Sequence, residues 1–196
     1  MDLLSDLASN MVVTVFGSSR AKRGDDEYRS AQRLGRLIGE RGWTLCNGGH
    51  DGTMEAAARG AKEAGGRTIG VSFALHQPLS LNHWIDHEIV LDTLIARLDK
   101  LARLGDAYVV LTGGIGTLLE CCLVWNLIQS PDFNGKPLVA VGTAWRGVVA
   151  AIRTHLPMQP WESESITLVE TVDQAVECLA VHFARARAGP PNVTER

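Results

Sequence analysis

The chain has 196 residues, 45% of them hydrophobic and 21% charged, values of an ordinary globular protein that exclude a disordered or collagen-like chain. Its 19 basic and 22 acidic side chains leave a net charge of −3, too little positive charge for a face that holds duplex nucleic acid. Chains divide beyond roughly 250 to 300 residues, so one domain over 1–196 is expected, with 1–10 and 186–196 as fraying tails. Val12–Phe16 is a short β-branched run, and Asp26–Arg41 follows with Tyr28, Ala31, Leu34 and Ile38 at helical spacing. Thr44–Asn47 reads as a second strand. Gly52–Ala64 is an alanine-rich helix stopped by Gly65 and Gly66. Arg67–Ser72 and His87–Val90 read as strands, Asp92–Leu104 as a helix, and Ala107–Leu111 as a strand. A helix from Gly116 or Thr117 to Gln129 ends before Pro131. Leu138–Val141, Trp145–Leu156, Thr167–Val169 and Val172–Arg185 complete the alternation as strand, helix, strand and helix.

Alternating apolar strands and helices predict a Rossmann-like three-layer α/β/α fold with a mainly parallel sheet. Such sheets bind ligands at the carboxyl ends of their strands, so the strand-to-helix turns are the segments to examine. Three are rich in glycine or serine: Gly17-Ser18-Ser19-Arg20, Asn47 through Thr53, and Thr112 through Thr117. In the third, Gly113, Gly114 and Gly116 free backbone N–H groups where the next helix presents its positive end, an arrangement suited to a phosphate. The competing reading is a tight turn that needs one glycine at positive φ. No Walker lysine follows, and no GxGxxG with a trailing acid, which disfavours P-loop NTPases and NAD binding.

Glu120 is the only charged side chain between Ala107 and Pro131, on a helix that is apolar around its whole circumference and is therefore expected to be buried. It is either the acid of a Thr117-x-x-Glu120 capping box or a carboxylate held beside the anion turn for hydrogen bonding or general-base work. At 100° per residue, Arg97 falls about 60° to the side of the stripe Leu94, Leu98, Leu101, Gly105, whereas Arg103 points to solvent. Arg97 is either a fork for phosphate or carboxylate or a surface arginine with a packed stem.

Cys46, Cys121, Cys122 and Cys178 form no CxxC pair and the six histidines no zinc spacing, so no metal and no disulfide are expected. The first ten residues carry acid where a signal peptide needs base, and no apolar run reaches the 18 residues of a membrane span. A cytoplasmic location without membrane or nucleic-acid partners is the expectation. Phe73–Asp86, with His76, His83 and Trp84, is either a lid over the site or a plain loop with a packed tryptophan.

The segments FGSSR, NGGHDGTMEAA, DTLIARLDKL and GGIGTLLE resemble the Lonely Guy (LOG) family and the related molybdenum-cofactor carrier-like proteins, over roughly Val12 to Val141. The resemblance implies a phosphoribohydrolase that cleaves a nucleoside 5′-monophosphate, a cytokinin riboside monophosphate or AMP, into free base and ribose 5-phosphate, with no cofactor. It assigns Arg97 and Glu120 as catalytic. It places Gly17, Ser18 and Ser19, then Gly48, Gly49, Gly52, Thr53 and Met54, then Gly113, Gly114, Gly116 and Thr117 in phosphate and nucleotide binding. The chain departs from the family pattern at Thr112 (proline), Leu98 (lysine), Leu101 (methionine), Asn47 (glycine) and Glu55 (glycine). A lysine decarboxylase label carried in this family needs a pyridoxal lysine, and Lys22, Lys62, Lys100 and Lys136 stand in no such context. On the implied mechanism Glu120 stabilises an oxocarbenium-like state or orients water, and Arg97 holds the phosphate or steadies Glu120. The alternative is a nucleotide or molybdenum-cofactor carrier without turnover. The apolar helix bearing Cys121, Cys122, Trp125 and Ile128 has more surface than one sheet covers, which predicts a homodimer or higher homo-oligomer.

Overall fold

A computed structural model describes residues 10–74 and 81–188. The strands are β1 (Val12–Phe16), β2 (Thr44–Asn47), β3 (Arg67–Phe73), β4 (His87–Leu91), β5 (Ala107–Val110), β6 (Leu138–Val141) and β7 (Ile166–Val169). They pair in the order β4-β3-β2-β1-β5-β6-β7, every pair parallel. The helices are α1 (Asp26–Glu40), α2 (Thr53–Glu63), α3 (Leu94–Leu104), α4 (Ile115–Leu127), α5 (Thr143–His155), α6 (Pro160–Glu164) and α7 (Val172–Ala188). The three-layer α/β/α expectation holds, for a physical reason visible in β1 and β5. Successive side chains of a strand point to opposite faces. Val13, Val15, Ala107 and Val109 meet α1, α2 and α7 on one side, while Val12, Phe16, Tyr108 and Val110 meet α3, α4 and α5 on the other. Both faces of these strands are buried, which is why they read as unbroken apolar runs.

Two glycines bring α1 and α2 together. A Cβ on Gly35 would strike the Ala57 carbonyl and one on Gly60 the Gln32 carbonyl, so part of the glycine excess serves a close helix contact with no ligand involved. Gly65 takes a φ of +76° at the end of α2, the left-handed stop expected there.

The differences from expectation are local. α3 begins at Leu94, because the Thr93 hydroxyl caps it by accepting from the Ala96 N–H at 3.1 Å. The short helix α6 was not legible as a period. It is built by a capping box between Gln159 and Glu162 with Pro160 at its first position. α7 runs on to Ala188, past Arg185, since RARA continues a good helix-forming sequence. The expected fraying of residues 1–9 and 189–196 lies outside the described residues.

The expectation that α4 is buried all round is corrected. Cys121, Val124, Trp125 and Ile128 pack into the chain, but Ile115 is 82% and Leu119 46% exposed, and Cys122 is exposed beside them. One sheet face covers only one side of a helix, and α3 and α5 leave this stripe open.

Candidate active site

Strand order reverses between β1 and β5, where β1 continues to β2 on one side and β5 to β6 on the other. The turns after those strands diverge and leave a crevice at their carboxyl ends. A cavity of about 530 Å3 occupies it, walled by the turn after β1, the turn after β5, and Arg97 and Glu120.

The turn after β5 carries the free backbone. The Trp145 indole N–H donates to the Leu111 carbonyl at 3.1 Å and fixes the end of the strand. Gly113 packs against the buried Thr117 side chain, whereas a Cβ on Gly114 or Gly116 would meet nothing within 4 Å. None of the three has positive φ, so the tight-turn reading does not account for them. α4 starts at Ile115 with Gly114 as its N-cap and with no side-chain cap among the described residues. Its first N–H groups and the positive end of its dipole therefore face the cavity.

The capping-box alternative for Glu120 fails. Glu120 lies beyond the first turn of α4, and its Oε1 accepts from Arg97 Nη1 at 3.1 Å. Both side chains are nearly covered, at 8% and 13% exposure. Arg97 also donates from Nε to the Val71 carbonyl at 2.8 Å, and its other nitrogen lies against the α-carbon of Gly48, where a Cβ would collide with it. Arg97 is thus a buried fork, while Arg103 pairs with Asp99 in solvent as its position predicted. Burial pushes the Glu120 carboxyl above its ordinary value, and the charge and hydrogen bond of Arg97 oppose that rise.

The turn after β2 is a scaffold. Asn47 clamps it from inside, donating to the Met54 carbonyl at 3.0 Å and accepting from the Gly49 N–H at 2.8 Å. Gly52 has φ +72° and its α-carbon abuts the backbone of Ser18 and Ser19. Thr53 stitches the first two turns, donating to the Ser18 carbonyl from its N–H at 2.8 Å and from its hydroxyl at 3.1 Å. Gly17 is bare because the Thr53 hydroxyl occupies the space beside it.

Of the residues singled out from sequence, Gly17, Ser18, Ser19, Met54, Arg97, Gly113, Gly114, Gly116, Thr117 and Glu120 line the cavity. Gly48, Gly49, Gly52 and Thr53 lie beneath it and pack the turns. Sequence reasoning missed Arg20, Asp25, Glu27 and His50, which also line the cavity. Arg20 and His50 are the long polar side chains within two of the glycine turns, and that was the available signal. Of the loop 73–86, none of the described residues is in the cavity lining. Trp84 sits against the α1/α2 side of the core with Arg59 over its ring, and Asn82 braces the turn after β2. His76 lies outside the described residues.

No helix among the described residues is long and apolar enough to cross a membrane. A family model described as SLOG cluster4 family matches residues 10–175. A cytokinin riboside 5′-monophosphate phosphoribohydrolase of Mycobacterium tuberculosis is 40% identical over 187 residues, covering 89% of this chain and 96% of that protein. A protein of the same name from Mycobacterium marinum is 37% identical, covering 64% of this chain and 68% of its own length. Among solved structures, the molybdenum cofactor carrier protein of Chlamydomonas reinhardtii superposes with a TM-score of 0.71 at 26% identity, covering 90% of this chain and 99% of that one.

Proposed function

This chain belongs to the SLOG cluster4 family, and on that premise we propose that it is a nucleoside 5′-monophosphate phosphoribohydrolase, releasing free base and ribose 5-phosphate. The observation that carries the reading is the buried Arg97–Glu120 pair on the wall of the cavity that the bare, uncapped turn at Gly114 and Gly116 faces. The phosphate sits on the first N–H groups of α4, which offer donors and a favourable dipole. That seat places the ribose against Glu120. As the C1′–N bond breaks, positive charge grows on the sugar ring, and a carboxylate beside it stabilises that charge and aligns the attacking water. Arg97 commits Nε to Val71 and Nη1 to Glu120, so it holds Glu120 ionised and in place, while its Nη2 lies against the α-carbon of Gly48 on the cavity wall.

Several finer statements belong to the same proposal. A cytokinin riboside monophosphate or AMP is the substrate. The exposed stripe Ile115, Leu119 and Cys122 of α4, with Val90, Leu94 and Ile95, is where a second copy docks in a homodimer. The protein works in the cytoplasm, where its four unpaired thiols stay reduced. The likeness to the carrier protein over nine-tenths of the chain favours a second reading, retention of a phosphate-bearing ligand without turnover. A panel of nucleoside monophosphates assayed for ribose 5-phosphate separates the two. Release of base from AMP or a cytokinin monophosphate, lowered at least about 100-fold by Glu120→Gln, supports the hydrolase; tight retention without product supports the carrier.

A further inference from the structure

We propose that His50 is a further functional residue, whose imidazole N–H donates a hydrogen bond to the departing base and so takes up the charge that collects there as the glycosidic bond breaks. This rests on the hydrolase reading and adds to it the group that faces the leaving base. β5, β1 and β2 lie side by side in the sheet. Neighbouring strands are about 4.8 Å apart, which sets the turn after β2 about 10 Å from the turn after β5, across the mouth of the cavity. A 5′-monophosphate seated on Gly114 and Gly116 therefore spans its ribose over β1 and carries its base to the end of β2.

The turn after β2 and the start of α2 supply the cavity wall with His50 and Met54 among the described residues, and a thioether donates nothing. Arg97, the other donor near that end, commits Nε to Val71 and Nη1 to Glu120, and its Nη2 is packed against the α-carbon of Gly48. The Arg20 guanidinium and the hydroxyls of Ser18, Ser19, Thr112 and Thr117 stand on the other two turns. The backbone that carries His50 is held firmly. Gly49 before it has φ +74°, and Asn82 Nδ2 donates to the Gly49 and His50 carbonyls, each at 2.9 Å. The charged groups that face the imidazole are Arg97, Asp51 and Glu88. Burial first, then the Arg97 charge, draws its pKa below the ordinary 6.5, against the pull of Asp51 and Glu88. At neutral pH the ring is uncharged and keeps one N–H to give.

The proton count closes without a cofactor. The C1′–N bond breaks with its electron pair going to the base, and the oxygen of a water molecule bonds to C1′. The water's proton passes to the Glu120 carboxylate and through solvent to the base nitrogen. The imidazole keeps its own proton throughout, so the sum is the addition of one water.

The test compares two substrates that differ in how much help the leaving base needs. AMP releases a poor leaving group, whereas the base of 7-methylguanosine 5′-monophosphate is already positive and leaves neutral. His50→Ala lowers kcat on AMP by about 10²-fold, and on the 7-methylguanosine substrate by no more than about threefold. His50→Gln, which keeps an N–H donor, recovers part of the loss on AMP. Equal losses on both substrates, or none on AMP, overturn the proposal. Should His50→Ala fail to fold, His50→Phe keeps a ring without a donor and is judged by the same comparison. Wild-type protein that releases base from neither substrate sinks the hydrolase reading, and this inference with it. That failure is distinguishable because it appears before any substitution is made.

Discussion

The turns after β2 and after β5 look alike in composition and differ in what surrounds them. Asn47-Gly48-Gly49-His50-Asp51-Gly52 holds three glycines, and each is closed in: Gly48 by the Arg97 guanidinium, Gly49 by Leu81, Gly52 by the backbone of Ser18 and Ser19. Thr112-Gly113-Gly114-Ile115-Gly116 also holds three, and two of them face open space at the end of a helix. A glycine is used for two different things here. One is to let parts of the same chain approach each other, and the other is to leave backbone donors bare toward a ligand. The first turn is scaffold with one functional side chain; the second is itself the proposed binding surface.

Substitutions test that contrast, and the largest effect is expected at the pair both turns serve. Glu120→Gln, which removes the charge and keeps the shape, lowers kcat by about 10² to 10⁴-fold with KM changed far less, in a steady-state assay of base release. Arg97→Ala leaves a buried carboxylate without its partner and costs about 3–5 kcal/mol of stability on denaturant unfolding, besides losing activity. Gly48→Ala drives a methyl into the space of the Arg97 guanidinium and costs about 1–3 kcal/mol. Gly114→Ala has no neighbour to strike and changes stability by less than about 0.5 kcal/mol, yet it raises KM for the monophosphate. Equal stability losses at Gly48 and Gly114 would erase the distinction between the turns.

The smallest effect concerns pH. Burial raises the Glu120 carboxyl above its ordinary 4.5. The working form is the carboxylate, so activity falls as the medium is acidified, and it does so from a pH above 4.5. Stability runs the other way for this group. A folded-state pKa raised above the unfolded one contributes stability that is fully present below the unfolded value and is lost as pH rises through the folded value. The difference in unfolding free energy between wild type and Glu120→Gln, followed across that window, isolates the contribution from the surface carboxylates. A difference that does not vary with pH would mean that Glu120 titrates normally.

Much of the site was legible before folding was considered. Glu120 stood out as a lone charge in an apolar helix, and Arg97 as a cation beside an apolar stripe. Both properties follow from helical periodicity, which residue spacing carries directly. His50 carried only the signal of a long polar side chain in a glycine-rich turn, and such a histidine looks the same whether its ring faces water or a cavity. Nor was the exposure of Ile115 and Leu119, since hydrophobicity states what a side chain prefers and not whether a neighbouring element arrives to cover it.

The sequence by itself determined the alternation of strands and helices, the parallel sheet that this alternation requires, and the three turns at the carboxyl ends of β1, β2 and β5. Those are properties of segments a few residues to a few turns long, set by backbone geometry and the apolar period. Only the tertiary structure decided which glycines are filled and which are open, that Arg97 turns inward to Glu120, and that one face of α4 stays uncovered. Those outcomes depend on contacts between residues far apart in the chain, such as Gly48 with Arg97 and Arg97 with Glu120, and no local pattern records the distance between them.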